Sequence, residues 1–335
     1  MKLYEKNGWV NWDYICGLQS AFIMVVGPRG TGKTYGLLKK LIQEKQPFIY
    51  VRRLQSQLDI SKSESGNPFR KLNVDIGCDV MPRPRSKMCE FRNENGQGDL
   101  VALGVALSTV ATIRGFDFSG FNYIVYDECI PMVGERPIKD EFNAFLNLYE
   151  TVNRNRELEG MHAVKCIMLG NANQIANPYF SGWHFTKTAL KMLRGRQMVY
   201  TTPDQSRTVI LLVDSPISSA KRGTSLYKNA NDGFLSMALD NAFRTDETCI
   251  ASRPLREYNH IVSVGEIGIY RHKSNKEYYV SNTVQKRPYY EDYGMGLKMF
   301  QSDFVLLRSL YMTGKRFVFE SYENEILFRN YIKIT

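Results

Sequence analysis

Residues 27–34 read G-P-R-G-T-G-K-T, a complete G-x-x-x-x-G-K-[ST] phosphate-binding loop, and they follow the apolar run Ala21–Val26. Nothing else in the chain constrains the fold as strongly, because such a loop works where a buried strand hands over to the N-terminus of a helix. Gly27, Gly30 and Gly32 let the backbone bend around phosphate oxygens with its NH groups pointing inward, and Pro28, Arg29 and Thr31 fill the positions between them. Lys33 is expected to reach the β and γ phosphates of a nucleoside triphosphate, and the Thr34 hydroxyl to bind the magnesium ion bridging them.

The 335 residues can hold one large or two modest domains, and a 43% hydrophobic content is that of a globular fold with a core. No apolar stretch reaches the roughly 18 residues that span a bilayer, and the N-terminal M-K-L-Y-E-K-N-G-W lacks the core of a secretion signal. These features set the expectation of a cytosolic chain with no membrane partner. The cysteines at 16, 78, 89, 129, 166 and 249 contain no C-x-x-C pair and the histidines no zinc spacing, so reduced thiols are expected. A net charge of +10 favours a polyanionic partner without selecting one.

Strand-like and helix-like segments alternate through the first two hundred residues: strand 21–26, helix 33–44, strand 47–51 capped by Arg52 and Arg53. That is an α/β pattern. Ser61 to Met88 reads as a variable stretch rich in Ser, Asn, Pro and Arg, followed by a hairpin in which K-M-C-E-F-R and D-L-V-A-L-G-V-A-L flank N-E-N-G-Q-G. Short buried strands at 122–126 and 163–169 end in Asp127-Glu128 and Gly170-Asn171. In an open parallel sheet those ends share one crevice with the loop at 27–34. Phe142, Phe145, Leu146, Tyr149 and Val152 recur at helical spacing. A linker is expected at 216–245. Beyond it, H-I-V-S-V-G-E-I-G-I-Y and E-Y-Y-V-S-N around K-S-N-K read as a hairpin in a small second domain.

The sequence Y-I-V-Y-D-E fits the strand that supplies the acidic partner of a phosphate loop. Asp127 is expected to bind magnesium, and Glu128 to orient a water attacking the γ phosphate or take its proton, a carboxylate that a binding module would not need. Asn171 is placed to hydrogen-bond the γ phosphate or that water, although an Asn capping a turn would look the same. Arg154 and Arg156 close the helix. Cations there most simply complement the helix dipole, and either could also serve a neighbouring subunit's nucleotide. Tyr14 is a candidate for stacking a base, and equally a core residue.

With these residues assembled, the chain resembles the DNA-packaging ATPases of small short-tailed phages, the picovirus group, whose motor is a compact relative of the large terminase subunit. The likeness rests on G-P-R-G-T-G-K-T at 27, Y-V-R-R at 50, Y-I-V-Y-D-E at 123, L-N-L-Y-E-T-V-N-R-N-R at 146, G-N-A-N-Q-I-A-N-P-Y-F at 170 and S-M-A-L-D-N at 236. It implies an α/β fold: an additional-strand P-loop ATPase domain with a mainly parallel sheet over 1–215, a linker over 216–245, and over 246–335 a small α+β domain resembling a vestigial RNase H-like nuclease. It further implies ATP and Mg2+ as cofactors and a homomeric, pentameric ring that drives double-stranded DNA into a procapsid. Portal or procapsid, and in some relatives a packaging RNA, are the implied partners. The expected location is the host cytoplasm, docked on the procapsid and absent from the mature virion.

By position the resemblance makes Arg154 a trans-acting arginine finger with Arg156 in reserve, and Arg114 a second interface cation. Arg52 or Arg53 becomes the partner that holds the catalytic glutamate away until DNA engages. Glu266, Asp292 and Asp303, at no convincing spacing, leave the nuclease site lost. Arg136 and Lys139, just after the acidic pair, are the first candidates for DNA phosphate contacts, and Arg83, Arg85 and Lys87 a weaker set. Other ring translocases or helicases, a nucleotide-regulated assembly factor and a small-molecule kinase are the competing readings.

Overall fold

The structure is a computed structural model that describes residues 3–113, 116–132, 135, 138–173, 177–213, 215–229, 235 and 250–332. The chain divides into two units, Met1–Arg244 and Thr245–Thr335. In the first, the strands are β1 (Phe22–Val26), β2 (Phe48–Arg52), β3 (Met81–Arg85), β4 (Met88–Arg92), β5 (Leu100–Ala106), β6 (Tyr123–Tyr126), β7 (Lys165–Gly170), β8 (Val199–Thr201) and β9 (Arg207–Leu211). Its helices are α1 (Trp12–Cys16), α2 (Lys33–Gln43), α3 (Gln55–Ser61), α4 (Arg70–Ile76), α5 (Glu141–Asn153), α6 (Pro178–Gly182), α7 (Thr186–Arg194), α8 (Pro216–Lys221) and α9 (Ser225–Lys228).

The nine strands form one sheet in the order β3-β4-β5-β2-β6-β7-β1-β9-β8. The central six, from β5 to β9, are mutually parallel, and the β3-β4 pair and β8 add antiparallel edges. Near-continuous apolar runs such as F-I-M-V-V suit strands buried on both faces. Strand β7 lies between β1, which ends at the phosphate loop, and β6, which ends at the acidic pair, so an additional strand separates the two halves of the site.

Alternation along each strand divides the core into two layers. Ile23, Val25, Phe48, Tyr50, Val125 and Ile167 face one way, against Leu37, Leu38 and Leu41 of α2. Met24, Val26, Ile49, Val51, Ile124 and Tyr126 face the other, against Phe145, Leu148 and Val152 of α5. Each fully buried aliphatic side chain in these layers contributes about 1.5–3 kcal/mol. Arg53 and Glu141 lie in the second layer at 1% and 5% exposure. Their pairing is two-pronged, Nε to Oε1 and a terminal nitrogen to Oε2, both at 2.8 Å. The Tyr179 hydroxyl lies 3.1 Å from Glu141 Oε1 and 2.7 Å from the Tyr126 hydroxyl.

The structure departs from the sequence expectation in three places. The stretch 61–88 contains helix α4 and strand β3, M-P-R-P-R, which continues the 88–106 hairpin outward. Prolines forming part of a strand are tolerated there because β3 is the sheet edge, where a missing NH breaks no ladder. The start of the expected linker carries α8 and α9, both within the first unit, whereas 230–234 and 236–249, with the S-M-A-L-D-N motif, lie outside the described residues. In the second unit H-I-V-S-V-G-E-I-G-I-Y is itself a hairpin, β10 (Tyr258–Val264) and β11 (Ile267–His272), turning at Gly265. β12 (Tyr278–Ser281) extends it into an antiparallel meander. β13 (Tyr289–Tyr290) joins β10 and β14 (Phe317–Phe319) joins β12, each in parallel. Helices Gly294–Asp303, Val305–Met312 and Tyr322–Tyr331 contribute Phe300, Leu307 and Phe328 to its core.

The buried ion pair generates the first test. Replacing Glu141 by Gln leaves the Arg53 charge with inadequate compensation and is expected to cost about 3 kcal/mol or more. The urea midpoint should fall with its slope unchanged. Tyr179→Phe should cost about 1 kcal/mol.

Candidate active site

The loop is shaped by contacts of its own. Gly27 donates its NH to the Gly170 carbonyl at the tip of β7, 3.1 Å away. The fully buried Thr31 hydroxyl donates to the Pro28 carbonyl at 3.1 Å. Gly30 and Gly32 take φ of +71° and +82°, the left-handed region in which a side chain is strained. At Gly32, which caps α2, a Cβ would also come within 2.5 Å of the Trp9 ring. The Lys33 ammonium donates to the Gly27 and Pro28 carbonyls at 2.8 and 2.6 Å and to Asn171 Oδ1 at 3.2 Å. Burial pushes its pKa down to about 8, against the opposing pull of Asp127 and Glu128. A desolvated ammonium at the start of α2, held by two backbone carbonyls that a phosphate oxygen can replace, is a donor that fits a phosphate chain.

The acidic pair sits where β6 ends beside β2. Asp127 Oδ1 accepts from the Thr34 hydroxyl at 2.8 Å, and Oδ2 from the Tyr50 hydroxyl at 2.9 Å and Arg52 at 3.1 Å. A hydroxyl and a carboxylate oxygen this close are the pair a magnesium ion would share, so Thr34 and Asp127 fit a metal with hard oxygen preference. Glu128 has φ +51° and its side chain is 55% exposed. Its carboxylate is held by the second nitrogen of Arg52 at 2.5 Å, so one guanidinium clamps both acids. A cavity of about 280 Å³ adjoins Thr34 and Asp127, lined also by Tyr50, Arg52 and Gln57.

Arg52 and Arg53 are thereby separated. Arg52 follows the Tyr50 face of β2 toward the loop. Arg53 follows Ile49 and Val51 into the opposite layer, where it pairs with Glu141 and, at 3.3 Å, Glu135.

The arginines after α5 lie at the far edge of the sheet. Asn153 Oδ1 accepts from the Val164 NH, just before β7, and Arg156 donates to Asn122 Oδ1 at 3.0 Å and to the Ser119 and Phe121 carbonyls at 2.6 and 2.8 Å, just before β6. Buried and triply bonded, Arg156 braces that turn and is not free to act as a reserve finger, which corrects the sequence expectation. Arg154 is exposed, has φ +45°, and donates to the Phe116 carbonyl at 3.1 Å. The four residues of β6 put roughly 13 Å of strand between that edge and Glu128. Arg154 therefore belongs to a surface other than its own subunit's phosphate loop. Lys139 is exposed; Arg114 and Arg136 lie outside the described residues. Arg83 is committed to the Gly96 and Asn95 carbonyls and Arg85 to Glu90, which leaves that set less available than its charge suggests.

Other proteins share this chain's sequence pattern and its fold. The family described as Podovirus DNA encapsidation protein (Gp16) matches residues 4–308. This chain is a member of it. Among its relatives, the DNA packaging protein of Bacillus phage phi29 is 27% identical over 267 residues, 78% of this chain and 73% of that one. The counterpart in Bacillus phage B103 is 27% identical over 250 residues, 72% and 70% of the two chains. The fold is similar to that of the phage Phi-28 gp11 DNA packaging motor, with a TM-score of 0.64 and 19% identity over 99% of both chains. It is also similar to a chain of the phage Phi-29 viral genome packaging motor assembly, with a TM-score of 0.59 and 20% identity over 96% of both.

Three residues of this member of the encapsidation family escaped sequence reasoning. Tyr50 was legible, because it lies two positions before Arg52 on the same strand face. Trp9, 44% exposed, lies against Gly32 of the loop. Tyr14 packs on the core edge, its NH bonded to Asn11. Lys221, which donates to the Arg29 carbonyl at 2.9 Å, carries no motif.

The conformation of Gly32 can be tested directly. Gly32→Ala is expected to lose about 1–2 kcal/mol from backbone strain alone, and to weaken triphosphate binding because Trp9 must shift. Gly120→Ala, with open space around it, should leave thermal midpoint and calorimetric nucleotide affinity unchanged.

Proposed function

We propose that this protein is an ATPase that drives double-stranded DNA into a phage procapsid, working as a homomeric, five-membered ring. The carrying observation is the second carboxylate: Glu128 beside Asp127, held off by Arg52, is an arrangement for controlled hydrolysis rather than for binding alone. Membership in the encapsidation family and the DNA packaging names of its relatives support the substrate.

In this reading the loop amides, Lys33 and Arg29 bind the triphosphate, and Thr34 and Asp127 hold Mg2+. When bound, the ion neutralises phosphate charge that the protein otherwise meets alone. Tyr50 and Arg52 fix the Asp127 carboxylate in the orientation that Thr34 also contacts. Glu128, once freed from Arg52, orients the attacking water and takes its proton, and Asn171 at the tip of β7 bonds the γ phosphate or that water. Arg154 stabilises the charge on a neighbouring subunit's nucleotide, with Arg114 a second cation at that interface.

DNA contacts fall to Arg136 and Lys139. Glu135, next to Arg136 in sequence, accepts from Gln57 Nε2 at 2.6 Å, which ties Glu135 to α3, just after Arg52 and Arg53. Contacts to phosphates suit a motor that moves any sequence. The portal or procapsid and, in some systems, a packaging RNA complete the assembly, in the host cytoplasm and not in the mature virion. We assign the second unit to binding rather than cleavage. Asp292 and Asp303 each accept a tyrosine hydroxyl, from Tyr331 at 2.8 Å and Tyr290 at 2.7 Å.

Steady-state hydrolysis with and without DNA tests the roles. Glu128→Gln is expected to bind ATP and turn over at least about 100-fold more slowly, and Arg154→Ala to lose about 1,000-fold. Arg52→Ala should bring the DNA-stimulated ratio toward one. An unchanged ratio in Arg52→Ala would remove the clamp assignment, and undiminished turnover in Glu128→Gln would remove hydrolysis at this site.

A further inference from the structure

We propose that Lys221, supplied by α8, is a ligand of the nucleotide's phosphates, so that the segment leading out of the ATPase sheet senses the triphosphate directly. The inference rests on the nucleotide-binding reading above. Its ammonium lies in the space over Gly30, where a Cβ would approach it to 1.9 Å, and donates to the Arg29 carbonyl at 2.9 Å. It therefore touches the crown of the loop, where glycine leaves room for it.

The approach is built into the fold. Strand β9 pairs with β1 as far as Val26, the residue before the loop, and the Leu212 NH continues that ladder to the Val26 carbonyl at 2.8 Å. Nine residues further along, Lys221 returns to the same loop. Tyr4 donates to the Val213 carbonyl at 2.9 Å, and Pro216 packs at Gly8, so the N-terminal segment pins the start of α8. A lysine on an untethered surface turn would have none of these constraints.

Charge gives the arrangement its purpose. Lys33, Lys221 and the exposed Arg29, which donates to Met132 Sδ at 3.4 Å, surround one loop, and Lys221 and Arg29 both lie close enough to Lys33 to disfavour its charge. Like charges gathered around a buried ammonium are unfavourable until an anion joins them. A magnesium-bound triphosphate carries the compensating negative charge. Lys221 then exchanges one neutral carbonyl for a charged oxygen.

The test is calorimetric binding of ATPγS, ADP and AMP to the full chain. Lys33→Ala serves as control, with Lys221→Met retaining the stem and Lys221→Arg retaining the charge. Lys221→Met is expected to lose about tenfold or more in ATPγS affinity, the worth of one charge-assisted hydrogen bond, with AMP affinity and thermal midpoint unchanged and Lys221→Arg restoring part of the loss. Acetylation footprinting should show Lys221 protected by ATPγS. Wild-type affinity in Lys221→Met, with Lys33→Ala defective, or equal acetylation with and without nucleotide, overturns this inference alone. A wild type that binds no triphosphate overturns it together with the nucleotide-binding reading.

Discussion

The polarity of the parallel sheet governs everything else in the first unit. Six strands run the same way, so each delivers its C-terminal loop to one edge: the phosphate loop from β1, Asn171 from β7, the acids from β6 and Arg52 from β2. Helices that follow those strands must run back, and their last residues emerge at the other edge. α5 shows both halves of the rule, with Glu141 at its start beside Arg53 and Arg154 and Arg156 at its end beside the entrances to β6 and β7. In the reading proposed above, the Arg154 cation is thus on the wrong side of its own subunit. Head-to-tail association would bring one edge against the other, and such a heterologous contact closes into a ring where its rotation allows.

Within the site, burial and pairing assign different work to chemically identical side chains. Arg53 is fully enclosed, and its bidentate contact with Glu141 fixes the register of α5 against β2; removing either partner strands a charge in the core. Arg52, one residue earlier, is itself mostly buried, at 15% exposure, but holds Glu128, whose side chain is 55% exposed. Water reaches the glutamate end of the pair, which in the reading proposed above is what lets Glu128 be released. Arg154 and Arg156 repeat the contrast, one exposed and one locked to carbonyls.

Much of this was legible in the sequence because local chemistry forced it. Glycines at 30 and 32 announce positive φ, four apolar residues before Asp127 announce a buried strand, and N-E-N-G-Q-G announces a turn. The choice between Arg52 and Arg53 was also legible, since period-two alternation from Tyr50 assigns each a face. Other features were not. M-P-R-P-R reads as loop until its neighbour shows that it is an edge, and nothing local distinguishes Arg156 from Arg154, because their fates depend on carbonyls more than thirty residues away. Lys221 meets the loop through a contact spanning 192 residues, beyond the reach of any spacing argument.

The central claim is that a complete site joins Glu128 of one subunit to Arg154 of the next. It is tested most directly by mixing two inactive variants, Glu128→Gln and Arg154→Ala, and measuring ATP hydrolysis in the presence of DNA. Random assembly in a head-to-tail ring gives about a quarter of interfaces a native glutamate facing a native arginine. The mixture should therefore hydrolyse ATP faster than either variant alone. Rings that form and bind nucleotide yet turn over no faster than the parents would contradict a site shared between subunits.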